Sequence, residues 1–229
     1  PAACLMGIAA GGLMGALNGV LIHCTGINFF VLTLASSSML RGISLMITDG
    51  KPITKFGKEF MQLGIGRIGE FQLPVLFALA LILLSFPLMF HTKWGNYIQA
   101  LGGSETALKR SGVRTGFYRV SVHIFLGIAA AVTAVIVTAR LNSAEPNAGM
   151  NMEFDAVTAV IMGGTPIRGG NASITGTVLA VLILGIIRNG LTLLSVSSDF
   201  QQWITGFLLL MSVLISEIKV RKFRTLIKS

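Results

Sequence analysis

Charged residues are spaced so widely along this chain that the uncharged intervals, more than any local propensity, define its elements. Residues 1–40 carry no charge, residues 71–92 and 120–139 form uncharged runs, and further runs cover 156–167, 169–187 and 200–216. A helix needs about 20 mainly apolar residues to cross the hydrocarbon core of a bilayer. The pattern predicts seven spans, at 5–23, 28–48, 73–91, 120–139, 154–165, 172–190 and 201–218, with a turn near 25–28 dividing the first two. The fifth is short for a full crossing, because Gly163-Gly164, Pro166, Gly169-Gly170 and Asn171 interrupt the apolar pattern.

Small residues recur on two of these segments. Gly7, Gly11, Gly15 and Gly19 are spaced four apart and line one stripe of the first span, while Gly127 with Ala131, and Ala130 with Ala134, repeat the spacing in the fourth. Such stripes let helix backbones approach closely in lipid, where packing rather than water drives association. A compact bundle is expected. The broken stretch from Gly163 to Asn171 admits two readings: irregular backbone lining a substrate path, as in transporters, or an ordinary turn punctuated by breakers.

Composition agrees with the spans. The chain has 229 residues, 53% hydrophobic and 12% charged, with mean hydropathy +0.78. A soluble domain carries about a quarter charged residues, so the surface is built for lipid. The net charge of +9 does not mark a nucleic-acid binder, since the cations fall between long uncharged runs rather than on one polar face. Cys4 and Cys24 show neither CxxC nor Cys/His spacing, so no disulfide framework and no metal site is expected. Without a GxxxxGK[ST] loop, the chain is not expected to bind ATP itself.

Alternating the seven spans groups residues 24–27, 92–119, 166–171 and the tail 219–229 on one face, with 11 Lys and Arg, against 5 for the loops 49–72, 140–153 and 191–200. The positive-inside rule makes the richer side cytoplasmic. Residue 1 then lies outside. A cytoplasmic amino terminus would need one or three earlier spans, and a start at Pro1 with no basic region before the first apolar segment reads as the later part of a longer protein.

The loop at 92–119, TKWGNYIQALGGSETALKRSGVRTGFYR, predicts a short helix outside the membrane. Ser104 can cap it, Glu105 suits its positive end, Lys109 and Arg110 its negative end, and Gly112 can close it in the left-handed conformation. Gly102, Gly103, Ala107 and Ser111 would offer a shallow surface for another protein; alternatively Leu101, Leu108 and the cations would hold the helix in lipid headgroups. Candidate path residues are the polar groups inside spans: Thr33, Ser36, Ser37, Ser38 and Arg41 in the second and Asn189 in the sixth. An ionisable residue at membrane depth is a functional candidate, although Arg41 can also snorkel or pair near the outer face, and the hydroxyls can bond within their own helix. Asn18 and Asn189 are candidates for interhelical hydrogen bonds.

Two segments, ALGGSETALKRSGV at 100–113 and EFDAVTAVIMGGTPIRGGNASITGTVLAVLILGIIRNGLTLLSV at 153–196, resemble the permease subunits of ribose-type, simple-sugar ABC importers, within the superfamily that includes branched-chain amino acid permeases. FFVLTLASSSMLRGISLMITDGKPI at 29–53 and ARLNSAEPNAGM at 139–150 resemble the same family, in the same order. The resemblance implies an all-α polytopic bundle of about ten helices, about three of them before Pro1, with residues 1–229 forming one permease domain in a bacterial inner membrane. It implies a homodimer or homologous heterodimer, an extracytoplasmic sugar-binding protein, and a cytoplasmic ATPase carrying ATP and magnesium, so that this chain is not itself an enzyme. Gly102, Gly103, Glu105, Ala107, Ser111 and Gly112 then fall in the coupling loop that docks on the ATPase. A ribose-like monosaccharide is the implied cargo, with a nucleoside, a branched-chain amino acid or passive permeation of a small polar solute as alternatives. Three residues depart from many relatives: Ser104 replaces Asn and preserves a cap, Leu108 replaces Ala and adds bulk, and Asn28 replaces Pro before the second span.

Overall fold

The computed structural model describes residues 2–167 and 169–228, without the side chains of Glu217 and of 219–228. The helices are α1 (Ala2–Thr25), α2 (Phe29–Thr48), α3 (Lys58–Ile65), α4 (Leu73–Phe90), α5 (Lys93–Gly103), α6 (Glu105–Arg110), α7 (Thr115–Leu141), α8 (Met152–Met162), α9 (Ile174–Leu193) and α10 (Ser198–Lys228). Four two-residue strands, β1 (Ile53–Thr54), β2 (Arg67–Ile68), β3 (Phe71–Gln72) and β4 (Ser143–Ala144), form two antiparallel pairs. Among the described residues six helices, α1, α2, α4, α7, α9 and α10 as far as Ser216, are long and apolar enough to cross a membrane. The architecture is an all-α polytopic bundle.

The fifth predicted span is corrected. α8 has 11 residues, about 16 Å at 1.5 Å per residue, against a hydrocarbon core of about 30 Å. It stops where Gly164 takes φ +95°. There the amide of Gly164 bonds the Ile161 carbonyl and that of Thr165 bonds the Val160 carbonyl, the paired closure of a Schellman motif. The predicted break at Gly163-Gly164 is therefore real, and it ends the helix before it can span.

The chain divides into two compact units, one of Pro1–Ile98 with Thr106–Gly149, the other of Gln99–Glu105 with Met150–Ser229. The first is organised by α1 lying antiparallel on α7. A Cβ added at Gly11 would sit 2.5 Å from the Ala131 Cβ, and one at Gly19 would sit 2.9 Å from the Val120 Cα; at Gly15 it would run into the His123 carbonyl. Three of the four striped glycines therefore admit α7, and the Gly127-Ala131 pair forms the facing surface. Gly7 faces open space. α2 is tied to α1 where the Ser36 hydroxyl donates to Asn18 Oδ1 at 2.7 Å.

The segment 49–72 is more ordered than its sequence suggests. Gly64 of α3 packs on the backbone of Ala139 and Arg140 at the end of α7, and β1 pairs with β4, Ile53 opposite Ala144. In the second unit α8 packs on both α9 and α10. Its end meets the start of α9, with Gly163 against Gly176 and Thr177, and the Thr165 hydroxyl accepts the Ser173 amide at 3.1 Å.

Apolar exposure is the rule outside these contacts. α2 and α4 bury no residue at all, and among the described residues the buried apolar side chains are Ile22, Leu108, Ala139, Ala159, Ile161 and Ala180. Uniform apolar helices with so little interior are stable in a solvent that is itself apolar, and their backbone groups are satisfied within each helix.

Candidate coupling segment and translocation residues

The segment between α4 and α7 is built from two consecutive helices rather than one short helix in a loop. Thr92 separates them from α4, its hydroxyl accepting the Gly95 amide at 3.1 Å, and Gly95 lies tight against the Met89 carbonyl, so α5 leaves α4 through a close corner. α5 is fastened to α7 by the Trp94 indole, which donates to Ser121 Oγ at 2.8 Å, and by Tyr97 and Tyr118, whose ring centroids are 5.1 Å apart.

α6 begins directly after Ser104, with Glu105 in its first turn and Lys109 and Arg110 in its last, as the charge pattern predicts. Gly112 has φ +78°, its amide bonds the Lys109 carbonyl at 3.0 Å, and the Val113 amide bonds the Leu108 carbonyl at 3.4 Å. This is a second Schellman closure, with glycine at the left-handed position. α7 starts at Thr115, which is 3% exposed.

The six coupling candidates separate into distinct environments. Gly103, Ala107, Ser111 and Gly112 are exposed, and Glu105 is half-buried. Gly102 is turned inward: a Cβ there would lie 2.5 Å from the Gly170 amide nitrogen and 3.0 Å from the Gly169 Cα. Gly169 and Gly170 have φ +77° and +101°, conformations that favour glycine, so the close approach needs glycine on both sides. Leu108, whose extra bulk stood out in the sequence, is 8% exposed and packs inside the chain rather than facing out.

Two backbone juxtapositions join segments far apart in the chain. Residues 102–103 meet 169–170, and β1 meets β4; each joins loops that the span alternation puts on one face. Arg168 and the side chains of the basic tail at 219–229 lie outside the described residues.

The path candidates on α2 are mostly committed locally. The Thr33 hydroxyl donates to the Phe29 carbonyl, those of Ser37 and Ser38 donate to Leu34, and Ser36 is the one that reaches another helix, at Asn18. Arg41 is half-buried and has no carboxylate partner among the described residues. Asn189 is exposed on α9, whereas Asn18 makes the expected interhelical bond.

Sequence reasoning missed the ion pair within the second unit. Arg188 Nη2 lies 2.8 Å from each carboxylate oxygen of Asp155. The signal was present: Arg188 is an ionisable residue inside a span, and such residues take a partner.

Among the described residues, six full-length apolar helices, one broken segment and a structured two-helix excursion define a multi-pass α-helical membrane protein. The chain belongs to the family described as branched-chain amino acid transport system / permease component, whose model matches residues 1–213. It is 37% identical over 216 residues to the ribose import permease protein of Escherichia coli, covering 93% of this chain and 67% of that protein. To the ribose import permease protein of Bacillus subtilis it is 37% identical over 204 residues, 88% of this chain and 63% of the relative. The D-allose transport system permease protein of Escherichia coli is 36% identical over 212 residues, 93% of this chain and 65% of the relative. The chain thus spans about two thirds of the length of these curated relatives. No solved structure matches. Family and spans together place the chain in the bacterial inner membrane as a multi-pass protein.

Proposed function

We propose that the chain is the membrane-spanning permease subunit of an ATP-binding cassette importer and carries a ribose-like monosaccharide inward by alternating access. Similarity to ribose and allose permeases along nearly the whole chain carries this reading. Physically, a sugar crossing hydrocarbon loses its water, and each unsatisfied hydroxyl costs several kcal/mol, about 2–7. A hydrated route that opens to one side at a time removes that barrier, and its two states need an external bias.

The bias is assigned to a cytoplasmic ATPase docking on α5 and α6. The exposed Gly103, Ala107, Ser111 and Gly112 offer a side-chain-poor seat, and Glu105 a charge beside it. The tight α4–α5 corner and the Trp94–Ser121 and Tyr97–Tyr118 contacts make the segment a lever on α4 and α7. A sugar-binding protein on the opposite face and a second permease protomer complete the assembly, with ATP and magnesium on the ATPase.

The test is ATP hydrolysis by the full-length permease reconstituted with its ATPase and binding protein. Gly103→Trp and Glu105→Arg are expected to abolish sugar-stimulated hydrolysis while leaving membrane insertion intact. Gly103 suits this because the nearest heavy atom to an added Cβ is 4.0 Å away. Undiminished stimulation in both variants removes the docking assignment, and sugar uptake into vesicles without the ATPase makes the protein a passive channel.

A further inference from the structure

The second unit contains a cavity that neither the coupling segment nor the α2 path residues use. α8 packs on both α9 and α10, and the three helices line an open cleft of about 330 Å³. It is open on one side, and its lining is apolar, formed chiefly by Ala159, Val181, Leu184, Gly185, Ile204 and Leu208, with Val181 and Gly185 exposed. The polar residues on it are Gln201 and Thr205 of α10 and the Asp155–Arg188 pair. Gln201 donates to the Val196 carbonyl at 3.0 Å, and the Thr205 hydroxyl donates to the Gln201 carbonyl at 3.1 Å, so both are engaged locally.

A sugar is a poor occupant of such a space, because its hydroxyls would be desolvated against hydrocarbon walls with few groups to receive them. An acyl chain has no such cost. The ion pair then supplies what the cavity lacks, a polar end. A single guanidinium nitrogen holds the Asp155 carboxylate, and a guanidinium has five donors, so further donors remain for an acceptor. The Arg188 side chain is 53% exposed and that of Asp155 25%, so the cation faces outward more than the anion. Arg188 stands five residues before the end of α9, about 7.5 Å along the axis, within snorkelling reach of the headgroup layer.

We propose that this cavity binds one zwitterionic phospholipid of the phosphatidylethanolamine type. One acyl chain lies between α9 and α10 against α8, the phosphate takes the outward donors of Arg188, and the ammonium approaches Asp155. Opposite charges 2.8 Å apart at the cavity match a headgroup that carries both signs, whereas an anionic lipid would meet the Asp155 carboxylate with no cation of its own.

Full-length protein, delipidated in detergent and incubated with phosphatidylethanolamine or phosphatidylglycerol of identical chains, is examined by native mass spectrometry. The wild type is expected to retain one phosphatidylethanolamine in preference to phosphatidylglycerol. Gly185→Leu fills the cavity, since a Cβ there meets no atom within 4 Å, and is expected to lose the bound lipid while keeping the wild-type unfolding temperature. Asp155→Asn is expected to keep a lipid but reverse the preference toward phosphatidylglycerol. Equal retention of both lipids by the wild type, undiminished retention by Gly185→Leu, or displacement of the lipid by ribose would each overturn the assignment.

Discussion

Replacing Gly15 and Gly7 by alanine, one at a time, isolates the energetics of the α1–α7 contact. Both lie on one helix and one stripe, so each substitution gains the same backbone term, about 1 kcal/mol on soluble helix scales. Their surroundings differ. A Cβ at Gly15 would overlap the His123 carbonyl and sit 3.1 Å from the Ile124 Cα, while a Cβ at Gly7 meets nothing within 4 Å. The obstruction is backbone, which cannot rotate aside, so α1 must withdraw from α7 until ordinary contact returns. Withdrawal also loosens the contacts at Gly11, Gly19 and Gly127 that share the seam. Overpacking of this kind costs about 1–3 kcal/mol. Gly15→Ala should therefore unfold below Gly7→Ala by that amount, several degrees in midpoint at about 2–4 °C per kcal/mol for a chain of this size. The assay is fluorescence-detected gel filtration after heating in detergent. Coincident midpoints would refute the backbone-contact account of the stripe.

Gly102→Val should lower the thermal midpoint sharply while Gly103→Val leaves it unchanged, because the first Cβ meets the Gly170 backbone at 2.5 Å and the second finds its nearest atom at 4.0 Å; equal stability would remove the packing role of Gly102. Leu108→Ala should destabilise by about 2–5 kcal/mol, as deletion of a buried leucine does, without changing which ATPase co-purifies; an altered partner with unaltered stability would put Leu108 on the docking surface after all. A double-mutant cycle of Asn18→Ala and Ser36→Ala should give a coupling of about 0.6 kcal/mol, typical of interhelical hydrogen bonds in membranes, and strict additivity would mean the 2.7 Å contact contributes nothing.

The long helices were legible because lipid demands uncharged runs, and α1, α2, α4 and α9 fall close to their predicted places. α7 begins at Thr115 rather than 120, since the turn after α6 closes at Gly112–Val113 and leaves the next residues free to start a helix despite Arg119. α8 lost its crossing to a Schellman turn that the sequence shows only as Gly-Gly. The folded segment around α3, β1 and β4 was illegible, because strands of two residues have no periodicity to read and β1 finds its partner β4 about ninety residues along the chain. At the site, the charge order and closing glycine of α6 could be read directly, whereas the inward turn of Gly102 depends on Gly169 and Gly170, more than sixty residues away. The α2 hydroxyls illustrate the same limit: bonding to a carbonyl three or four residues back leaves no trace in composition.

The helix contacts of this chain share a physical character that bears on transport. α1 meets α7, α3 meets the end of α7, and residues 102–103 meet 169–170, in each case with glycine set directly against backbone. Interdigitated cores resist sliding because side chains must leave their holes together, and such packing is bistable rather than continuously deformable. A seam of backbone against glycine has few knobs to withdraw, so small shear displacements cost less there than across a leucine core. Strength is lost in the same measure, since each contact buries little surface, and it is the length of the α1–α7 seam, from Gly11 to Gly19, that compensates. The short contact at Gly102 has no such reserve. If α5 and α6 act as the lever, the end of α5 meets the 169–170 loop through glycine backbone alone at Gly102 and Gly170, a contact with few side chains to resist a small displacement.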